Sequence, residues 1–160
     1  MAGVLTVVLI IVADQLVKYF VAANLALGEA RSFIPGILGI TRTHNYGISF
    51  GLFDNISQLL PAILAVALTV AIAYLLKTGK IRPRIQRWAA IFVIGGALGN
   101  AIDRVFRGYV IDMFEFKFVN FAIFNVADVC LVLGGIVFCV HYILFDFKNS
   151  KNKEAQNGDS

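Results

Sequence analysis

The chain has 160 residues, 59% of them hydrophobic and 15% charged, with a mean hydropathy of +0.79 and a net charge of +4. A soluble domain averages about 25% charged residues, and a single domain of this length has too much surface for its volume to hide so much apolar side chain from water. An ordinary soluble fold is therefore excluded. The basic excess does not point to nucleic acid either, because the lysines and arginines sit between and after apolar runs and form no patch interleaved with exposed aromatics.

The first apolar stretch runs from about Val4 to Leu27 and contains Asp14 and Lys18. At about 20 residues of helix per hydrocarbon core, it is long enough to cross a membrane. A cleavable signal peptide would carry a basic amino-terminal region and no charges in its apolar run; this stretch is a span. Next comes a segment, about 30–56, in which Ile37 to Phe53 mix β-branched residues with glycines, a β-like composition. The second span begins at Pro61, an acceptable early-helix proline, and reaches about Leu76.

Lys77, Lys80, Arg82, Arg84 and Arg87 then follow without any acidic residue. The third span covers Trp88 to about Phe106. In the segment about 108–124, Phe114, Phe116 and Phe118 alternate with Glu115, Lys117 and Val119, a period of two expected of a strand. The fourth span runs from about Asn125 to Phe145. Its cysteines, Cys130 and Cys139, are nine residues apart, about 13 Å along a helix and on opposite faces, too far for a disulfide; both read as core residues.

Residues 1–148 are expected to form one domain, and 149–160 a polar, disordered tail. Lys148 precedes the tail, and Lys151 and Lys153 lie in it. The connection after span one has Arg31 and Arg42, and the one after span three has Arg104, Arg107 and Lys117. Positive charge gathers on the cytoplasmic side, so both termini and the basic loop are expected there. The predicted fold is an all-α membrane protein with four transmembrane helices and a small extracytoplasmic β-sheet, on or near the membrane surface.

Ionisable groups inside spans are costly and mark function, so their depths matter. With the amino terminus inside, Asp14 lies about 20 Å along span one, and Lys18 follows one turn later on the same face. Asn100 and Asp103 lie about 18 and 22 Å from Trp88, and Asp128 opens span four from the outer side. All fall in the outer leaflet. Asn100, Asp103, Arg104 and Arg107 share one helical face, on a helix whose Gly95, Gly96 and Gly99 permit close packing.

The available chemistry follows from the residue types. His44 and His141 are the only histidines, too few for a zinc protease site, so neither metal nor cofactor is expected. Gly47-Ile48-Ser49-Phe50-Gly51 fits a nucleophile pattern, but that pattern requires an elbow in an α/β sheet. Carboxylates remain. Two adjacent aspartates cannot both ionise, so one keeps a proton while the other acts as base. Asp112 and Asp128 flank an aromatic segment able to turn back and join them, although Asp14 and Asp103 lie at a similar level; residue types alone leave the choice of pair open.

Asn100-Ala101-Ile102-Asp103-Arg104, Gly108-Tyr109-Val110-Ile111-Asp112-Met113-Phe114 and Phe124-Asn125-Val126-Ala127-Asp128 resemble the G-N-x-x-D-R, G-x-V-x-D-F and F-N-x-A-D signatures of bacterial lipoprotein signal peptidase, or signal peptidase II. Asp14-Gln15 with Lys18, and Asn45-Tyr46-Gly47-Ile48-Ser49-Phe50, match two further blocks, so the resemblance spans all but the tail. It implies an aspartic intramembrane protease of the bacterial cytoplasmic membrane, its active site facing outward. Its implied partners are membrane lipid and lipid-modified prolipoproteins, cut on the amino side of the diacylglyceryl-cysteine.

The resemblance implies Asp112 and Asp128 as the catalytic dyad. Asn45, Asn100, Arg104 and Asn125 would hold substrate or orient the dyad, and Asp14, Lys18 and Asp103 would support the site. Two departures are Met113 where the family more often has Phe, and the Ile48-Ser49 pair where small residues such as alanine are commoner. The principal alternative is a small proton-coupled transporter, which also buries carboxylates but spreads them through the membrane's depth. A structural assembly factor docking through glycine-rich helices would not gather aspartates and asparagines at one level.

Overall fold

The computed structural model describes residues 1–47 and 59–147. Four helices carry the chain: α1 (Ala2–Asn24), α2 (Leu59–Lys77), α3 (Arg84–Arg107) and α4 (Val126–His141), the last prolonged by a π-helical turn, Tyr142–Phe147. By length and composition all four are able to cross a membrane. Three strands form the sheet: β1 (Ala30–Ile34), β2 (Leu38–Asn45) and β3 (Val110–Phe116). The expected tail and the Ile48–Ser49 stretch lie outside the described residues.

α3 is the hub, packed against α1, α2 and α4. It buries Ala90, Ile94, Ala97 and Ala101, whereas α1, α2 and α4 expose Leu5, Leu9, Leu64, Val70, Leu133 and Ile136. Large apolar side chains facing outward are tolerable only where the surroundings are apolar, and lipid supplies that. Glycine sets the closest approach. A Cβ on Gly96 would collide with the Ala127 carbonyl of α4, and one on Gly134 would lie 2.7 Å from the Ala89 carbonyl of α3. Interfaces of this kind let helix backbones approach in lipid, where packing must do the work of association.

The sheet is antiparallel, in the order β1-β2-β3. Thr43 faces Asp112 and Asn45 faces Val110 across the β2–β3 pair. The sheet rests on the carboxy-terminal end of α1, where Ile111 and Met113 pack with Val21 and Leu25. The Arg42 guanidinium fastens this contact by donating to the Ala22 and Leu25 carbonyls at 3.0 and 3.1 Å, groups that a helix end leaves unpaired.

Some details differ from the sequence expectation. α1 ends at Asn24 and not Leu27, because Leu25 turns extended as the chain leaves for the sheet. β3 ends at Phe116; Phe118 is in the following turn, where its ring lies 5.4 Å from that of Phe116. Cys139 is exposed, unlike buried Cys130, so only one of the two is a core residue. The chain does turn back after β3: Phe114 and Phe124 form an isolated bridge, which returns the backbone to the start of α4.

Candidate active site

Lys18 lies at the bottom of the site and is wholly buried. An ammonium has three donors, and here they go to Asp14 Oδ2 at 2.8 Å, Asp103 Oδ2 at 2.9 Å and Asn100 Oδ1 at 3.0 Å. Asp103 also pairs with the Arg107 guanidinium. Two carboxylates thus meet two cations. Ions buried without such compensation cost several kcal/mol each by rough estimate, so the balance makes the cluster tenable.

The two carboxylates beside Lys18 also grip backbone. Asp14 Oδ1 accepts the Ala127 N–H at 2.9 Å, one of the donors that the start of α4 leaves free. Asp103 Oδ2 accepts the Ile111 N–H at 3.3 Å. Ala127 immediately precedes Asp128, and Ile111 immediately precedes Asp112. One ion cluster therefore anchors the chain next to both aspartates.

Above the cluster lies a layer of asparagines. Asn125 is the N-cap of α4 and forms a reciprocal capping box: its Oδ1 accepts the Asp128 N–H at 2.9 Å, and Asp128 Oδ2 accepts the Asn125 N–H at 3.1 Å. With its oxygen committed to a backbone donor, Asn125 turns its Nδ2 to Asp112 Oδ1 at 2.6 Å and to Asn100 Oδ1 at 3.1 Å. Asn45 follows the same logic. Its Oδ1 accepts the Gly47 N–H at 3.0 Å, and its Nδ2 donates to Asp112 Oδ2 at 2.9 Å. Asn100, its oxygen held by Lys18, donates to Asp128 Oδ1 at 2.7 Å.

Asp112, on β3, is 3% exposed. Burial pushes its carboxyl up to about 6, and the neighbouring Asp128 charge acts in the same direction. The donors Asn45 and Asn125 and the charge of Lys18 pull the other way. Arg104 closes one side, donating to the Gly47 carbonyl at 3.1 Å and to the Asn100 carbonyl at 3.4 Å. Among the described residues, no three His, Cys, Asp or Glu side chains are grouped to hold a metal ion. What the arrangement offers is a pair of carboxyl groups in one electrostatic field, each with two hydrogen-bond donors and one of them titrating near 6.

All nine residues singled out in the sequence fall in this one connected network: Asp14, Lys18, Asn45, Asn100, Asp103, Arg104, Asp112, Asn125 and Asp128. Gln15 is a tenth member to which the sequence reading assigns no part. It donates to Asp103 Oδ1 at 3.0 Å and to the Gly99 carbonyl at 3.2 Å, and accepts from Arg107 at 3.1 Å. The signal for it was a carboxamide beside Asp14 within an otherwise apolar helix.

The model of the signal peptidase (SPase) II family matches residues 6–144. The lipoprotein signal peptidase of Enterococcus faecalis is 39% identical over 150 residues, covering 94% of this chain and 91% of that protein. That of Streptococcus pyogenes serotype M6 is 39% identical over 140 residues, covering 86% and 90%. A solved structure of a bacterial membrane enzyme superposes with a TM-score of 0.85 at 28% identity, covering 95% of this chain and 91% of that one. A second superposes with a TM-score of 0.81 at the same 28% identity, covering 91% and 94%. The chain belongs to the signal peptidase II family.

Proposed function

We propose that this protein is an aspartic endopeptidase that removes signal peptides from diacylglyceryl-modified prolipoproteins, with Asp112 and Asp128 as its catalytic pair. The observation that carries this reading is the meeting of two carboxyl groups from different elements on Asn125, which bonds to Asp112 by its side chain and to Asp128 by its cap. Asp112 keeps its proton up to about pH 6 and polarises the scissile carbonyl. Asp128 takes a proton from the attacking water, and Asp112 delivers its own to the leaving amine. Asn45, Asn100 and Asn125 orient the pair, and Arg104 lies beside it to meet substrate. Asp14, Lys18 and Asp103 support the arrangement from below.

The positive-inside distribution supports both termini in the cytoplasm, with the sheet and the dyad on the outer side of the bacterial cytoplasmic membrane. Residues 1–148 then form the protease domain and 149–160 a cytoplasmic tail. A lipidated precursor is itself membrane-bound, so its cleavage site reaches such a dyad sideways from lipid while water enters from outside. A proton-coupled transporter is not supported: the chain belongs to a peptidase family, and Asp14, Lys18, Asp103, Asp112 and Asp128 form one cluster, not a path through the membrane.

The test is cleavage of a lipidated precursor by Asp112→Asn and Asp128→Asn enzymes. Each should lose about a hundredfold or more of the activity, and full activity in either sinks the dyad. Cleavage should survive a chelator; its loss would reopen metal chemistry.

A further inference from the structure

Three carboxamides donate to the dyad, and each must present nitrogen, not oxygen. Asn45 and Asn125 have their oxygens committed to backbone N–H groups, of Gly47 and Asp128. Among the described residues, Asn100 Oδ1 has no backbone donor of this kind. Its oxygen is held by the Lys18 ammonium at 3.0 Å, with a second contact from Asn125 Nδ2 at 3.1 Å. An ammonium only donates, so Lys18 keeps that oxygen turned inward and the Asn100 N–H pointed at Asp128 Oδ1, 2.7 Å away. A cation on the oxygen of an amide also polarises its N–H, which strengthens donation along the chain.

The environment of Lys18 makes its third bond informative. Asp14 and Asp103 already balance it, and Arg107 completes the charge count. The third N–H of the buried ammonium needs an acceptor, and the one it takes is Asn100, the asparagine whose side-chain N–H reaches the Asp128 carboxylate. The charged groups around Lys18 are Asp14 on its own helix and Asp103 on α3, both in contact with it, and Asp112 on β3 and Asp128 on α4 within its field, while Arg107 shares Asp103 and Arg104 lies near Asp103, Asp112 and Asp128.

We propose that Lys18 is a positioning residue for the catalytic pair, acting through Asn100, whose carboxamide it holds and polarises so that its N–H stays on Asp128. This rests on the proposed role of Asp112 and Asp128, and it adds that a lysine two bonds from the dyad tunes it.

A double-mutant cycle tests the idea, with kcat, KM and the pH dependence of cleavage measured for Lys18→Met, Asn100→Leu and the double variant. Lys18→Met should lower kcat by about tenfold to a hundredfold, the effect of losing one hydrogen bond to a charged group, with KM little changed. The alkaline limb of its pH profile should move upward, because a positive charge that favours the ionised pair is gone. In the Asn100→Leu background, the same substitution should cost much less, since its route to Asp128 is already cut.

Equal costs in both backgrounds, or an unmoved pH profile, overturn the proposal and leave Lys18 as a structural ion. Should Lys18→Met fail to fold by circular dichroism, Lys18→Met with Asp14→Asn keeps the cluster's net charge, and the cycle is run in that pair with the same criteria. Failure here is distinguishable from failure of the dyad: in the first case Asp112→Asn and Asp128→Asn remain inactive, and in the second one of them cleaves.

Discussion

Replacing Asn45 with alanine removes one of the two donors on Asp112 and leaves the other, Asn125, in place. Asp112 sits near 6 as the net of burial and the Asp128 charge against these donors and Lys18. A hydrogen bond to a charged group contributes about 1.5–3 kcal/mol. Asn45 is only half-buried, so the lower end applies, and at 1.36 kcal/mol per unit the change is about one pKa unit. The sign is upward, because the lost donor favoured the ionised form. A dyad works with one proton between its two carboxyls and stops when both ionise, so activity is lost on the alkaline side. The limb in kcat/KM, which reports the free enzyme and belongs to the pair, should move from about pH 6 towards about pH 7 in Asn45→Ala. Cleavage of a lipidated precursor in detergent micelles, followed across pH, measures it. A limb that stays in place, or moves to lower pH, refutes the account of Asn45 as a donor that tunes Asp112.

Asn125→Ala should lower stability by about 1–2 kcal/mol through loss of the α4 cap, seen in thermal unfolding, while activity falls by far more than this accounts for because the Asp112 carboxylate loses a donor and the Asp128 N–H loses its cap. Comparable loss in the two measurements would reduce Asn125 to a cap. Gly96→Val places a side chain against the Ala127 carbonyl; overpacking of this kind costs about 1–3 kcal/mol, and displacement of the first turn of α4 should also impair cleavage. A Gly96→Val enzyme with wild-type stability and rate would show that α3 and α4 do not need this closeness.

Depth counting along two helices places Asp14, Lys18, Asn100 and Asp103 at one level, and the structure joins all four in direct contact. That much is legible because a helix converts residue number into height, and because lipid makes every buried polar group conspicuous. The choice of Asp112 over Asp103 is not legible this way. Both are aspartates near the same surface; they differ because Asp103 is paired directly with Lys18 and Arg107, whereas the direct hydrogen-bond partners of Asp112 among the described residues are the neutral amides of Asn45 and Asn125. Such a difference depends in part on contacts between distant parts of the chain, for example Lys18 with Asp103 and Asn45 with Asp112, and only the family motifs carry it at the level of sequence. The end of α1 is hidden in the sequence for a similar reason: Leu25 to Leu27 are apolar enough to continue a helix, and it is Arg42, from β2, that receives the helix end.

The dispersal of the site along the chain has a consequence for biogenesis. Its parts come from α1, β2, α3, β3 and α4, and Asp14 of the first helix completes the hydrogen bonding of the last. A nascent chain that has emerged only as far as β3 holds Asp112 but neither Asp128 nor the Asn125 that joins the two. With Asp112 and Asp128 as the proposed pair, such a chain has no complete dyad, and competence is expected only when the fourth helix docks.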